Sequence, residues 1–158
     1  MRAVRIAMVM MTVFGVSPFS ESGAAQAPPE GHRQAQGLTF QGDVALWTVA
    51  IRPDKTADFE KVLARLRDAL QKSDNPQRKQ QAAGWTVMKM ETPLPDGNIA
   101  YVHIIRPVVA GADYSILKTL YDEFPSEGQP LYDMYRGAFA QNLALTSGSV
   151  VIDMSKAQ

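Results

Sequence analysis

Residues 85–106, WTVMKMETPLPDGNIAYVHIIR, decide the fold. Two runs rich in β-branched and aromatic residues, 85–92 and 99–106, flank a loop holding Asp96-Gly97, a strong hairpin signal. Upstream, residues 43–51 read as a strand and end in the turn Arg52-Pro53-Asp54-Lys55. Thr56 is then placed to cap a helix reaching Lys72, on which Phe59, Val62, Leu63, Leu66 and Leu70 recur at helical spacing. Asn75-Pro76 opens a short polar helix ending at Gly84, with proline at the first helical position. Downstream, residues 112–124 carry Ile116, Leu117, Leu120, Tyr121 and Phe124 on one helical side. A Pro-bounded break follows at 125–130. A second stripe, Leu131, Met134, Tyr135, Ala138 and Phe139, continues the helix, and residues 149–154 read as a last strand. The order is strand, helix, strand, strand, helix, strand. It predicts an α+β domain over residues 43–154, a ferredoxin-like β-α-β-β-α-β sandwich.

Such a unit has helices on one face of its sheet. The third strand nevertheless alternates apolar residues on both faces, Ile99, Tyr101 and Ile105 on one and Ala100, Val102 and Ile104 on the other. The first strand does the same, with Trp47, Val49 and Ile51 against Val44, Leu46 and Thr48. A solvated face would alternate with polar groups. Something apolar is expected to cover the second face, and a homodimer is the simplest candidate, because two-fold interfaces are self-complementary and common.

The chain of 158 residues holds 16 basic and 16 acidic residues. Basic residues are scattered, apart from Arg78-Lys79, so nothing favours nucleic acid or an acidic membrane surface as a partner. There is no cysteine, which excludes disulfides, thiolate metal sites and a cysteine nucleophile.

The N-terminus predicts export. Arg2 and Arg5 precede an apolar run over 6–14, and small residues follow at 22–25. Residues 1–25 read as a signal peptide cut after Ala25, with the product periplasmic or secreted. The apolar run is too short for a spanning helix of about 20 residues, so no stable membrane anchor is expected. Cleavage removes two basic residues and one acidic residue and leaves a net charge of −1. Residues 26–42 are polar and rich in Pro, Gly and Gln, a flexible lead-in whose Leu38 and Phe40 can dock at its end.

The element order over 43–154, with Arg52-Pro53-Asp54-Lys55 leading to Phe59 and Val62-Leu63, resembles the dimeric α/β-barrel superfamily. Antibiotic-biosynthesis-type monooxygenases and NIPSNAP-like domains belong to that group. The resemblance is to element order and spacing, and no catalytic signature is matched. It implies two protomers packing open sheet faces into a closed barrel with a cavity. It also implies the option of a cofactor-free or haem-linked oxygenase, and fold alone does not decide among the chemistries.

His103 is the one histidine of residues 43–154. If Asp96-Gly97 is a two-residue loop, Met90 faces His103, Met88 faces Ile105 and Thr92 faces Tyr101. One face then carries Met88, Met90, Tyr101 and His103. On the functional reading His103 is the catalytic group on the cavity wall, a proton acceptor, hydrogen-bond donor or axial haem ligand. Met88, Met90, Tyr101, Trp47 and Trp85 would then line the ligand site. On the plain reading His103 is a core residue with a satisfied hydrogen bond, and the tryptophans are ordinary core. Arg106 falls on the opposite face from His103. No phosphate loop or nucleophile elbow is present, a histidine metal cluster has too few parts, and no cofactor can be named.

Two functions are therefore expected. One is binding of a small apolar or aromatic ligand between sheets, with the oxygenase as its enzymatic form. The other is a non-catalytic binding or assembly module using the open sheet face.

Overall fold

The computed structural model describes residues 37–155. The expected signal peptide and lead-in residues 26–36 lie outside the described residues. The elements are β1 (Val44–Ile51), a 3-10 turn (Pro53–Lys55), α1 (Thr56–Lys72), α2 (Pro76–Gly84), β2 (Trp85–Lys89), β3 (Ile99–Ile105), α3 (Ile116–Glu123), α4 (Gly128–Ala138) and β4 (Phe139–Gly148). One four-stranded sheet has the order β2-β3-β1-β4. Every pairing in it is antiparallel. The chain is α+β, and this order is compatible with a ferredoxin-like fold.

The helices form where the apolar spacing places them. α1 buries Phe59, Val62, Leu66, Ala69 and Leu70, one stripe that packs on the sheet. Thr56 does not cap it. The 3-10 turn runs straight into the helix, Lys55 takes the N-cap place without a side-chain bond, and Thr56 is the first helical residue. α2 starts as expected, with the Asn75 side chain accepting from the backbone N–H of Gln77 and Pro76 inside the first turn. α3 begins at Ile116, the first residue of its apolar stripe and four residues after the expected helix start at 112. The preceding residues hold the lead-in instead. Leu38 N–H donates to Asp113 Oδ1 at 2.9 Å and to Ser115 Oγ at 3.1 Å. Phe40 is buried edge-on against Tyr114, with centroids 5.2 Å apart.

Two strand expectations are corrected. The hairpin ladder pairs Val87 with His103, Met88 with Val102 and Lys89 with Tyr101. This is three residues away from the pairing that a two-residue loop requires. The loop is longer because Pro93 and Pro95 cannot donate to a ladder. Leu94 N–H donates to Asn98 O at 2.8 Å, and Gly97 N–H returns to Leu94 O at 2.8 Å. That closes a three-residue loop on Pro95-Asp96-Gly97, and Gly97 takes φ +82°, where a side chain would be strained.

The last strand is Phe139–Gly148, not 149–154. α4 stops at Ala138, and Phe139 already pairs with Ile51. Val44 pairs with Gly148 at the far end, so β1 runs out before the β-branched residues 150–152 arrive. They have no partner strand among the described residues, and Val151 and Ile152 stand exposed.

The covered face carries Ala45, Trp47, Val49 and Ile51 of β1 and Tyr101, His103 and Ile105 of β3, all buried. No helix among the described residues covers the other face. Leu46, Met88 and Met90 are exposed there, beside half-buried Val102 and Ile104. No helix among the described residues is long and apolar enough to cross a membrane.

Candidate functional site

The covered face of β3 concentrates the polar chemistry. His103 lies between Val87 of β2 and Trp47 of β1 in the ladder. Its ring stacks on Trp47, with centroids 4.6 Å apart and 24° between planes. Phe59 of α1 closes the third side at 6.4 Å. Trp85 Nε1–H donates to His103 Nδ1 at 3.1 Å. An indole nitrogen only donates, so Nδ1 accepts and the neutral ring carries its proton on Nε2. That Nε2–H is buried and has no hydrogen-bond partner among the described residues. Burial pushes the His103 pKa down to about 4, so the ring is neutral near pH 7.

Two residues along β3, Tyr101 points the same way. Its ring packs edge-on against Phe59 with centroids 4.9 Å apart. Its hydroxyl donates to Glu60 Oε1 at 2.7 Å, and Lys89 Nζ donates to the same oxygen at 2.9 Å. These two bonds, Tyr101 first, hold the Glu60 carboxyl below its ordinary range. Burial, and then the Glu60 carboxylate, push the Tyr101 phenol up to about 12. The group is a carboxylate fixed by a phenol on one side and an ammonium on the other.

Both clusters back onto one open groove of about 330 Å³ between α1, α2 and β2. Leu63, Leu66, Leu70, Ala82, Trp85 and Val87 give it an apolar floor, with Glu60 and Arg67 at the rim. Its volume is at the small end of ligand pockets. A second open groove, about 290 Å³, lies between Leu38, Trp47 and the strand residues Leu143 and Leu145. Trp47 and Trp85 thus each line one groove, with His103 buried between them. Trp47 is held in turn, its Nε1–H donating to Asn142 Oδ1 at 2.9 Å.

Of the expected site residues, His103, Tyr101, Trp47 and Trp85 come together. Met88 and Met90 do not. The corrected register turns them to the uncovered face, where they are 46% and 40% exposed. His103 is likewise not on the uncovered face, the one a barrel cavity would use. It sits under α1 with no exposed surface. Glu60 and Lys89 escaped the sequence reading. Glu60 reads as the wet side of α1, and Lys89 aligns with Tyr101 only in the observed ladder.

Among the described residues no three His, Cys, Asp or Glu side chains converge to hold a metal ion. Axial haem ligation would fall to His103, whose Nδ1 is taken by Trp85 and whose Nε2 is enclosed. Nδ1 becomes reachable only if the Trp85 ring moves.

No protein-family model, curated protein or solved structure matches this chain.

Proposed function

We propose that the chain is an exported domain that binds a small apolar or aromatic molecule in the groove between α1 and β2. One observation carries this reading. Two of the polar-tipped residues that line the groove, Trp85 and Glu60, are each hydrogen-bonded to a buried ring behind it, His103 and Tyr101. A wall pinned from behind keeps its shape before the ligand arrives, which lowers the ordering cost of binding. Titration with p-cresol, followed by the Trp85 indole N–H resonance, tests it. Saturable movement of that resonance is expected, and Leu63→Asp should weaken binding at least tenfold. No response of Trp85 at millimolar p-cresol overturns the reading. Retention of residues 1–25 in the intact mass of the mature protein would remove export from it.

The oxygenase, cofactor-free or haem-linked, is the enzymatic extension of the same reading and rests on the resemblance alone. In that role His103 is the acid–base group, and Trp85 must swing aside to admit a substrate. Substrate-dependent oxygen uptake tests it.

The uncovered sheet face supports a second reading, a homodimer of dimeric α/β-barrel type or an assembly module. Leu46, Met88 and Met90 stand exposed there around Val102 and Ile104, a larger apolar patch than scattered surface residues make. Sedimentation at tens of micromolar tests it, and a monomer at that concentration counts against it.

A further inference from the structure

The groove is bounded by a strand edge that no other strand among the described residues pairs with. β2 is one of the two edge strands of the sheet among the described residues. Arg106 N–H donates to Gly84 O at 2.7 Å at one end of β2, and Met90 N–H donates to Ala100 O at 2.9 Å at the other. In an antiparallel ladder alternate residues exchange these bonds. The even-numbered residues from 84 to 90 therefore face β3. Trp85, Val87 and Lys89 turn their N–H and C=O groups outward. Trp85 and Val87 also place their side chains in the groove. Backbone donors and acceptors thus run alongside an apolar trough.

We propose that the group bound in the groove is an apolar side chain of an extended peptide that adds to the outer edge of β2, antiparallel to it. This rests on the groove reading above and names its ligand class. Edge addition draws affinity from main-chain bonds and selectivity from pockets for alternate side chains, and Trp85, Val87 and Leu63 supply such a pocket. Charge fixes the direction. Glu60 is already compensated by Lys89 at one end of the groove. At the other end stands Arg67, with its side chain 66% exposed and one ion pair at 3.6 Å to Asp68, which Arg65 and Lys72 share. Glu60 and Arg67 are seven residues apart on α1, about 10 Å along the axis. That is about three residues of strand. A peptide antiparallel to β2 brings its C-terminal side to the Arg67 end. The ligand is therefore an extended segment with one large apolar residue and an acidic side chain or terminal carboxylate about two residues later. The edge is short and ends in Lys89, features that discourage indiscriminate sheet addition.

A pool of acetylated hexapeptides with fixed central Phe and Asp two residues on is the probe, offered to the protein beside p-cresol. Bound members should slow hydrogen exchange at the Trp85, Val87 and Lys89 amides at least tenfold. N-methylation of a bound peptide at the positions facing β2 should weaken binding tenfold or more, and at the alternate positions by less than threefold. Peptide binding without protection of those amides, or with no dependence on which position is methylated, overturns the proposal. Binding of p-cresol with no peptide retained overturns it and leaves the groove reading standing. Binding of neither removes both.

Discussion

The two faces of the sheet are both apolar, and they differ in kind. The covered face of the strands carries rings with polar atoms, Trp47, Trp85, Tyr101 and His103, and each ring makes a hydrogen bond to another part of the chain, with only His103 Nε2 left unpartnered among the described residues. The uncovered face carries Leu46, Met88, Met90, Val102 and Ile104 around Ala50 and Ala100, with no aromatic residue. An indole or phenol buried in the core needs both a shaped space and an acceptor, which only a fixed neighbour provides. Leucine and methionine need neither, and a flexible thioether fits a contact made after folding. Alternating hydrophobicity shows that both faces of a strand are apolar. The polar tips of the rings show which face is closed by the chain itself.

The sharpest way to break this comparison is one charge on each face of β3. Ile105 has no exposed surface, and a buried unpaired carboxylate there costs several kcal/mol. Against a total stability of about 5–15 kcal/mol, Ile105→Asp should leave the domain largely unfolded at ordinary temperature. Val102, on the uncovered face, is half-buried, and Val102→Asp should lower monomer stability by about 1 kcal/mol or less. Urea denaturation of the two variants measures the difference. If the faces are equivalent, both variants unfold alike. If the uncovered face joins two copies, Val102→Asp alone should shift the sedimentation coefficient to that of a monomer.

The sequence pattern carries this fold unevenly, for physical reasons. α1 was legible because its five buried residues repeat with the helix period. α2 was legible because a cap and a proline mark its start. β4 was not. Apart from half-buried Phe139 its residues are exposed on both faces, so no alternation is imposed on QNLALTSG. The β-branched residues 150–152 look more like a strand, but β1 offers nothing to pair with there. The site depended on the hairpin register. His103, Trp47, Trp85 and Tyr101 could be named from residue type, but their companions could not. A ladder shifted by three residues moved Met88 and Met90 across the sheet and brought Lys89 to Tyr101 instead. Nothing near Glu60 in the sequence marks it, because its two donors arrive from β2 and β3, remote along the chain.

A second prediction sharpens the comparison through protons. The unfolded His103 imidazole takes up its proton as pH falls through 6.5, and the buried one only near 4. Between those values the unfolded state binds more protons, so stability is full above pH 6.5 and declines as pH falls to about 4. The loss amounts to about 3 kcal/mol. The carboxylates held low, Glu60, Asp96, Asp113, Asp122 and Asp153, lose their contributions only below their ordinary values of 4.5 or 3.8. The interval from pH 6.5 to 4.5 therefore reports mainly on His103. His103→Gln should flatten the stability profile there, and an unchanged slope would mean that the ring is not held neutral by burial.

The smallest effect is the one most specific to the groove wall. Tyr101→Phe removes the hydroxyl that donates to Glu60 and leaves the ring packed edge-on against Phe59. A hydrogen bond to a carboxylate is worth about 1.5–3 kcal/mol when enclosed. Glu60 is about half exposed and keeps its bond to Lys89, so the expected loss is near 1 kcal/mol. The stability measurement alone would not identify the cause, because any small core change costs as much. The diagnostic is the titration of Glu60 by carboxyl carbon resonance. Tyr101 is the largest influence holding Glu60 below its usual range, so in Tyr101→Phe the Glu60 pKa should rise toward 4.5. Lys89→Ala should raise it too, because it removes both the Lys89 hydrogen bond and the Lys89 charge. If Tyr101→Phe leaves the Glu60 pKa where it was, the carboxylate is held from the solvent side. The wall of the groove would then not be anchored to β3 at that point.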